Sequence, residues 1–164
     1  MPLLLILAAC ASAPSDSGDT WPLQVEIGSG EWEWTALSEG DDIAVIMGPQ
    51  GGFHVLGSVR VSGLEPGDPD VLGEPTNPTT TFSVWVEGEN LTPGSVYVQG
   101  LDPVTESETG YAHEMIGRFA ILGIEDDDVL EGASLRFHVR VEDVSGVWAE
   151  DERTLWAYSH PNNP

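Results

Sequence analysis

From Trp21 to Tyr158 the chain keeps returning to one pattern, an apolar residue followed by a polar one. Successive side chains of a strand point to opposite faces, so this period of two predicts half-buried β-strands. It is clearest near the carboxyl end. There Leu135, Phe137, Val139 and Val141 share one face, and Arg136, His138, Arg140 and Glu142 share the other. Asp143-Val144-Ser145-Gly146 supplies turn residues, and Val147 to Tyr158 returns as the partner strand. In Phe53 to Ser62, the residues Phe53, Val55, Val59 and Val61 alternate with His54, Ser58, Arg60 and Ser62. Leu56 alone interrupts that polar face, which is expected to meet solvent. Leu23, Val25 and Ile27 alternate behind Pro22, whose missing N–H predicts an edge strand. Trp32 and Trp34 alternate with Glu31 and Glu33 in a further short strand. Ile43 to Met47 is continuously apolar, which fits a central strand. Thr81 to Glu87, Ser95 to Gln99 and Tyr111 to Ile121 complete the set.

No segment longer than one turn shows a period of 3.6, and Asp126 to Gly132 has room for one helical turn at most. Gly48-Pro49-Gln50-Gly51-Gly52 predicts a tight connection between strands, because proline presets one turn dihedral and glycine supplies positive φ. Gly63 to Thr80, with four prolines, and Leu101 to Gly110 read as loops. A long loop in a compact domain is often functional. Short strands recurring at intervals of about ten residues predict an all-β fold, an antiparallel two-sheet sandwich of immunoglobulin-like type with about seven to nine strands. The closing hairpin, Gly132 to Leu155, resembles the last two strands of bacterial immunoglobulin-like domains. The Cys…Trp…Cys core of antibody domains is absent.

The amino end reads differently. Leu3 to Leu7 is apolar and leads through Ala8 and Ala9 to Cys10, the only cysteine. Leu7-Ala8-Ala9-Cys10 resembles the lipobox of bacterial lipoproteins. That resemblance implies a signal peptide over residues 1–9, cleavage before Cys10, and acylation of its thiol and its new amine. No Lys or Arg precedes Cys10 and the apolar stretch is short, so the expected leader is one truncated at its amino end. Ala11 to Thr20, rich in Ser, Asp, Pro and Gly, is then a flexible tether between the bilayer and one domain over residues 21–160, with a tail at 161–164. Several acyl chains anchor firmly where one is marginal. Ala11, rather than Asp, follows the cysteine, which in such lipoproteins implies the outer membrane of the cell envelope.

Charge narrows the partners. Asp and Glu number 28 against five Lys and Arg, a formal net charge of −23. A surface of that sign repels nucleic acid, leaving envelope proteins or polysaccharides as the expected partners alongside the bilayer. It also needs no explanation beyond solubility.

Candidate chemistry is sparse. His54, beside the paired glycines of the 48–52 turn, is a candidate ligand-binding residue, although the turn needs those glycines for its dihedrals in any case. Arg136, His138 and Arg140 form a cationic row suited to an anionic ligand, or to plain pairing with Glu150 and Glu152 across strands. Asp126, Asp127 and Asp128 offer carboxylate oxygens of the kind calcium takes, in a pattern that also suits a solvated turn. No other cofactor is expected. The four histidines lack ligand spacing, and Gly117 stands where a His-Glu-x-x-His zinc motif starting at His113 needs its second histidine. No Gly-x-Ser-x-Gly elbow is present, so no catalytic residue is named. Exposed aromatics such as Trp85, Tyr97, Trp148 or Trp156 would serve stacking on sugars or anchoring of a partner. The expected function is therefore a non-enzymatic binding module. A hydrolase built around His54 and the 63–80 loop, or a passive structural component, are the rivals.

Overall fold

The computed structural model describes residues 21–105 and 110–163. Cys10, the expected leader and the tether lie outside the described residues. Eleven strands form one mixed sheet: β1 (Gln24–Ser29), β2 (Thr35–Ala36), β3 (Asp42–Met47), β4 (Phe53–Ser62), β5 (Thr79–Val86), β6 (Glu89–Asn90), β7 (Val96–Val98), β8 (Asp102–Pro103), β9 (His113–Leu122), β10 (Ser134–Glu142) and β11 (Trp148–Ser159). Between β9 and β10 lies one 3₁₀ turn, Asp127–Leu130, capped by the Asp126 carboxylate, which accepts from Asp128 N–H. The sequence allows one helical turn at most in this stretch, and the 3₁₀ turn stays within that limit.

The fold is all-β, but three features of the predicted architecture need correction. The strands number eleven and not seven to nine, because the two-residue pieces β2, β6 and β8 pair beside the longer ones. The sheet is not purely antiparallel, because β3 runs parallel to β11 from Asp42 opposite Trp156 to Val45 opposite Ser159. Nor are there two separate hydrogen-bonded sheets. β3 passes from β11 to an antiparallel pairing with β4, at Ile46 opposite His54 and Met47 opposite Phe53, and so joins both parts into one ladder. The central position expected for residues 43–47 is what makes this possible. The network nonetheless folds over on itself. Gly57 of β4 lies so close to the Phe82 ring of β5 that an added methyl group would sit 2.7 Å from it, and 3.1 Å from Phe137 of β10. One apolar cluster runs from Ile27 to Ala157 through this contact.

The sheet stops short of closing into a barrel at the gap between β7 and β9. Side chains span the gap where a backbone ladder does not. Tyr97 Oη donates to Phe119 O at 2.7 Å and accepts from Phe119 N at 3.1 Å. Ser95 Oγ accepts from Ile121 N at 2.8 Å, and Gln99 Oε1 takes two N–H groups of Arg118.

The polar face of β4 does not meet solvent as expected. His54, Ser58, Arg60 and Ser62 are all buried. Alternation correctly puts them on one side, but that side is covered. Residues 31–34, expected as a strand, are instead a bend that lays the Trp34 ring over Gly28 of β1 and under the Arg60 guanidinium, 4.7 Å away. Glu114 of β9 accepts from Arg60 Nε at 2.9 Å and balances its charge. Burying a cation without such a partner would cost several kcal/mol on the order of a desolvation penalty.

Candidate functional site

The β3–β4 connection builds one wall of a concave feature on the sheet. Gly48 N donates to Gly52 O at 2.9 Å, and Gly51 N to Gly48 O at 3.0 Å. Gly51 and Gly52 both have positive φ, 73° and 93°, so a side chain at either would strain the turn. This turn overhangs the outer face of the sheet, where Ile46, His54 and Ile121 stand in one cross-strand row and Leu56 and Phe119 in the next. An outer sheet face is usually polar. Here Phe119 and Ile121 remain exposed, at 43% and 58%.

A cleft of about 190 Å³ lies between them, walled by Pro49, Gln50, Phe53, His54, Phe119 and Ile121. A second hollow, sharing Pro49, His54 and Phe119, continues toward Glu31, Met47 and Leu56. His54 stands between the two. Its ring packs on Phe119 with centroids 4.3 Å apart and planes tilted 46°. Burial holds its pKa below the ordinary histidine value, with the Glu31 carboxylate opposing that shift. At neutral pH the site therefore offers apolar walls and one uncharged imidazole. It has the makings of a binding groove for an apolar group.

The other candidates fare differently. Arg136, His138 and Arg140 do line one exposed face of β10, but each is already engaged. Arg136 lies 3.8 Å from Glu152, His138 Nε2 3.4 Å from Glu150, and Arg140 2.7 Å from Glu142. The Glu150 and Glu152 contacts run diagonally, since the register sets Arg140 opposite Glu150 and His138 opposite Glu152. Arg136 also covers Trp85, and Arg140 covers Trp148 at 4.1 Å. Plain pairing accounts for the row.

Asp126, Asp127 and Asp128 come together, with ligand oxygens within 4.8 Å of one another. Two of the three carboxylates already accept intramolecular hydrogen bonds: Asp126 from Asp128 N, and Asp127 from Ser159 Oγ and Asn163 Nδ2. Calcium takes six to eight oxygens, so this trio is a poor cage and a good clamp for the carboxyl tail. Asn163 completes the clamp by pairing with the edge of β3, accepting from Met47 N and donating to Val45 O, both at 2.9 Å. The aspartates are the only group of three metal-ligating side chains among the described residues, so no histidine joins one.

The structure does not bring His54 together with the 63–80 loop, none of whose residues lines the cleft. That loop is folded on Asn77, which accepts from Asp68 N at 2.7 Å and donates to Val71 O at 2.6 Å, and it packs against Val98 and Gly100. Of the four aromatics considered for exposure, Trp148 and Trp156 are exposed, while Trp85 and Tyr97 are half-buried. Phe119 and Ile121 are the site residues that sequence reasoning missed. Their signal was the unbroken apolar run Phe119 to Leu122, too apolar for a strand with one wet polar face. No protein-family model, no curated protein and no solved structure matches this chain.

Proposed function

We propose that the protein is a non-enzymatic binding module of the cell envelope, held at the outer membrane through acylated Cys10 and folded as an immunoglobulin-like sandwich whose two layers are joined through β3. In this reading the cleft between His54, Phe119 and Ile121 receives an apolar side chain of an envelope protein. The observation that carries it is the cleft's lining: exposed Phe119 and Ile121 around a buried histidine whose environment favours the neutral form. Its position agrees. β4 runs from Phe53, at the cleft, to Ser62, opposite Gln24 of β1, close to where the chain leads off toward Cys10. Ten residues at about 3.3 Å each put roughly 30 Å between the tethered end and the cleft. The sandwich assignment is supported by the packing of Gly57 on Phe82 and Phe137. An apolar lining favours a protein partner over a polysaccharide.

The test is a photo-crosslinking amino acid placed at Ile121 in cells. A discrete adduct with one envelope protein is expected, and Phe119→Ala should abolish it. Burying a Phe side chain contributes ~1.5–3 kcal/mol, so its loss weakens binding roughly ten- to hundredfold. Absence of any adduct, or turnover in a broad hydrolase panel that disappears in His54→Ala, would overturn this reading in favour of the structural or the hydrolytic one.

A further inference from the structure

The opposite end of the molecule carries a second apolar surface. Trp21 (48% exposed), Leu23 (49%), Val144 (48%), Val147 (39%) and Trp148 (45%) are all large, apolar and open to solvent. They belong to one end. Trp21, Leu64, His113 and Val147 line a common hollow, Leu23 backbone abuts Gly63, and Glu65 N donates to Asp143 Oδ2 at 3.1 Å, tying the loop after β4 to the β10–β11 turn. The turn is rigid. Asp143 Oδ1 accepts from Ser145 N, Ser145 Oγ and Val147 N at 2.7–3.0 Å, which holds Val144 and Val147 outward. Monomeric proteins seldom leave such a patch uncovered without use.

We propose that this rim is a membrane-contact surface, resting in the headgroup region of a zwitterionic bilayer. The inference rests on the anchoring described above. The argument for lipid as occupant is where the chain leads. Residues 1–20 join the domain at Trp21, inside the rim itself. With Cys10 in the bilayer, only Ala11 to Thr20 separate the rim from lipid, and a short tether keeps the local concentration of that surface high. Trp is the residue that membrane interfaces favour, with an apolar body and a polar N–H. The net charge of −23 argues for zwitterionic over anionic headgroups. Docking at this end would point the His54 cleft away from the bilayer.

The test uses the full chain, attached through the thiol of its only cysteine. Maleimide-headgroup phospholipid in phosphatidylcholine vesicles takes the Cys10 sulfur across its double bond, forming a C–S bond and receiving the thiol proton on the neighbouring carbon. Vesicles with brominated acyl chains are expected to quench part of the tryptophan emission. Trp21→Phe/Trp148→Phe should remove that quenchable part, whereas Trp32→Phe/Trp156→Phe should keep it. Val144→Asp/Val147→Asp, which retains every tryptophan, should abolish quenching while leaving the thermal melt cooperative. No quenching of the parent chain, or quenching that follows Trp32 and Trp156, would overturn the rim, as would dimers in solution that disappear with the Val144→Asp/Val147→Asp pair. Because the attachment is chemical, natural acylation is judged apart, from the mass of the exported protein. Failure of that reading and failure of the rim are thus distinguishable.

Discussion

Thr80 is wholly buried on β5, and its hydroxyl has no hydrogen-bond partner. Thr92, equally enclosed, uses its hydroxyl fully: it accepts from Val84 N at 2.8 Å and lies 3.0 Å from Asn90 Oδ1. The same substitution should therefore act with opposite sign at the two positions. Thr80→Val keeps the β-branched shape and removes a desolvated hydroxyl, whose unpaired burial costs about 1–3 kcal/mol. It should raise Tm by about 2–4 °C for each kcal/mol recovered in a chain of this size. Thr92→Val strands the Val84 N–H and should lower stability by a similar ~1–3 kcal/mol. Thermal melts of the two variants decide the matter, and a lowered Tm for Thr80→Val would mean that its hydroxyl is solvated or paired after all.

At the scale of elements, the gap between β7 and β9 leaves a long strand edge open to unwanted pairing. β9 is paired along one edge by β4, but along the other only by β8 at its start. Along the rest, Tyr97 satisfies both backbone groups of Phe119, and Ser95 Oγ takes the Ile121 N–H. Unpaired strand edges are templates for association. Tyr97→Phe should thus cost about 1–1.5 kcal/mol, speed hydrogen exchange at the Phe119 amide, and produce concentration-dependent species in sedimentation. Unchanged exchange at that amide would show that water replaces the phenol without opening the edge. This arrangement also shows what alternation conveys. The strands β4, β10 and β11 were legible from their period of two, and so was the side on which each residue lies. Period says nothing of direction, so the parallel run of β3 beside β11 was hidden. Nor does it tell whether a polar face is wet. Ser58 and Arg60 read as solvent-facing because nothing local announces that Trp34, from a bend between strands, will lie over them. His54 was legible as a residue beside a glycine turn; its place in a cleft was not, because Phe119 arrives from a strand 65 residues further on.

For the whole molecule, these local environments combine into one dependence of stability on pH. Burial lowers the pKa of His54 and of His113, so the folded state binds a proton less readily than the unfolded chain. Unfolded histidine titrates at about 6.5. Below that pH the unfolded chain takes up more protons, and stability falls as acid is added. The carboxyls act further down. Asp127 is held low by Ser159 and Asn163; at Asp143, burial pushes upward but donors from Ser145, Glu65 and Val147 outweigh it. Their contribution is present above the unfolded aspartate pKa of about 3.9 and is lost as pH falls through the depressed folded values. Tyr97 and Tyr111 are raised, chiefly by burial, so stability should also decline as pH rises beyond about 10. A competing effect has the opposite sign on the acid side. The charge of −23 repels itself, and protonating carboxylates relieves that repulsion. Salt separates the two, because at 0.15 M ionic strength surface charges are screened beyond about 8 Å while buried groups are little affected. In 0.5 M salt the urea midpoint should therefore fall from pH 7.5 to pH 5.5, and His54→Gln/His113→Gln should flatten that fall. A midpoint that instead rises over this interval at high salt would mean that charge relief, and not the buried histidines, governs the neutral-to-acid limb.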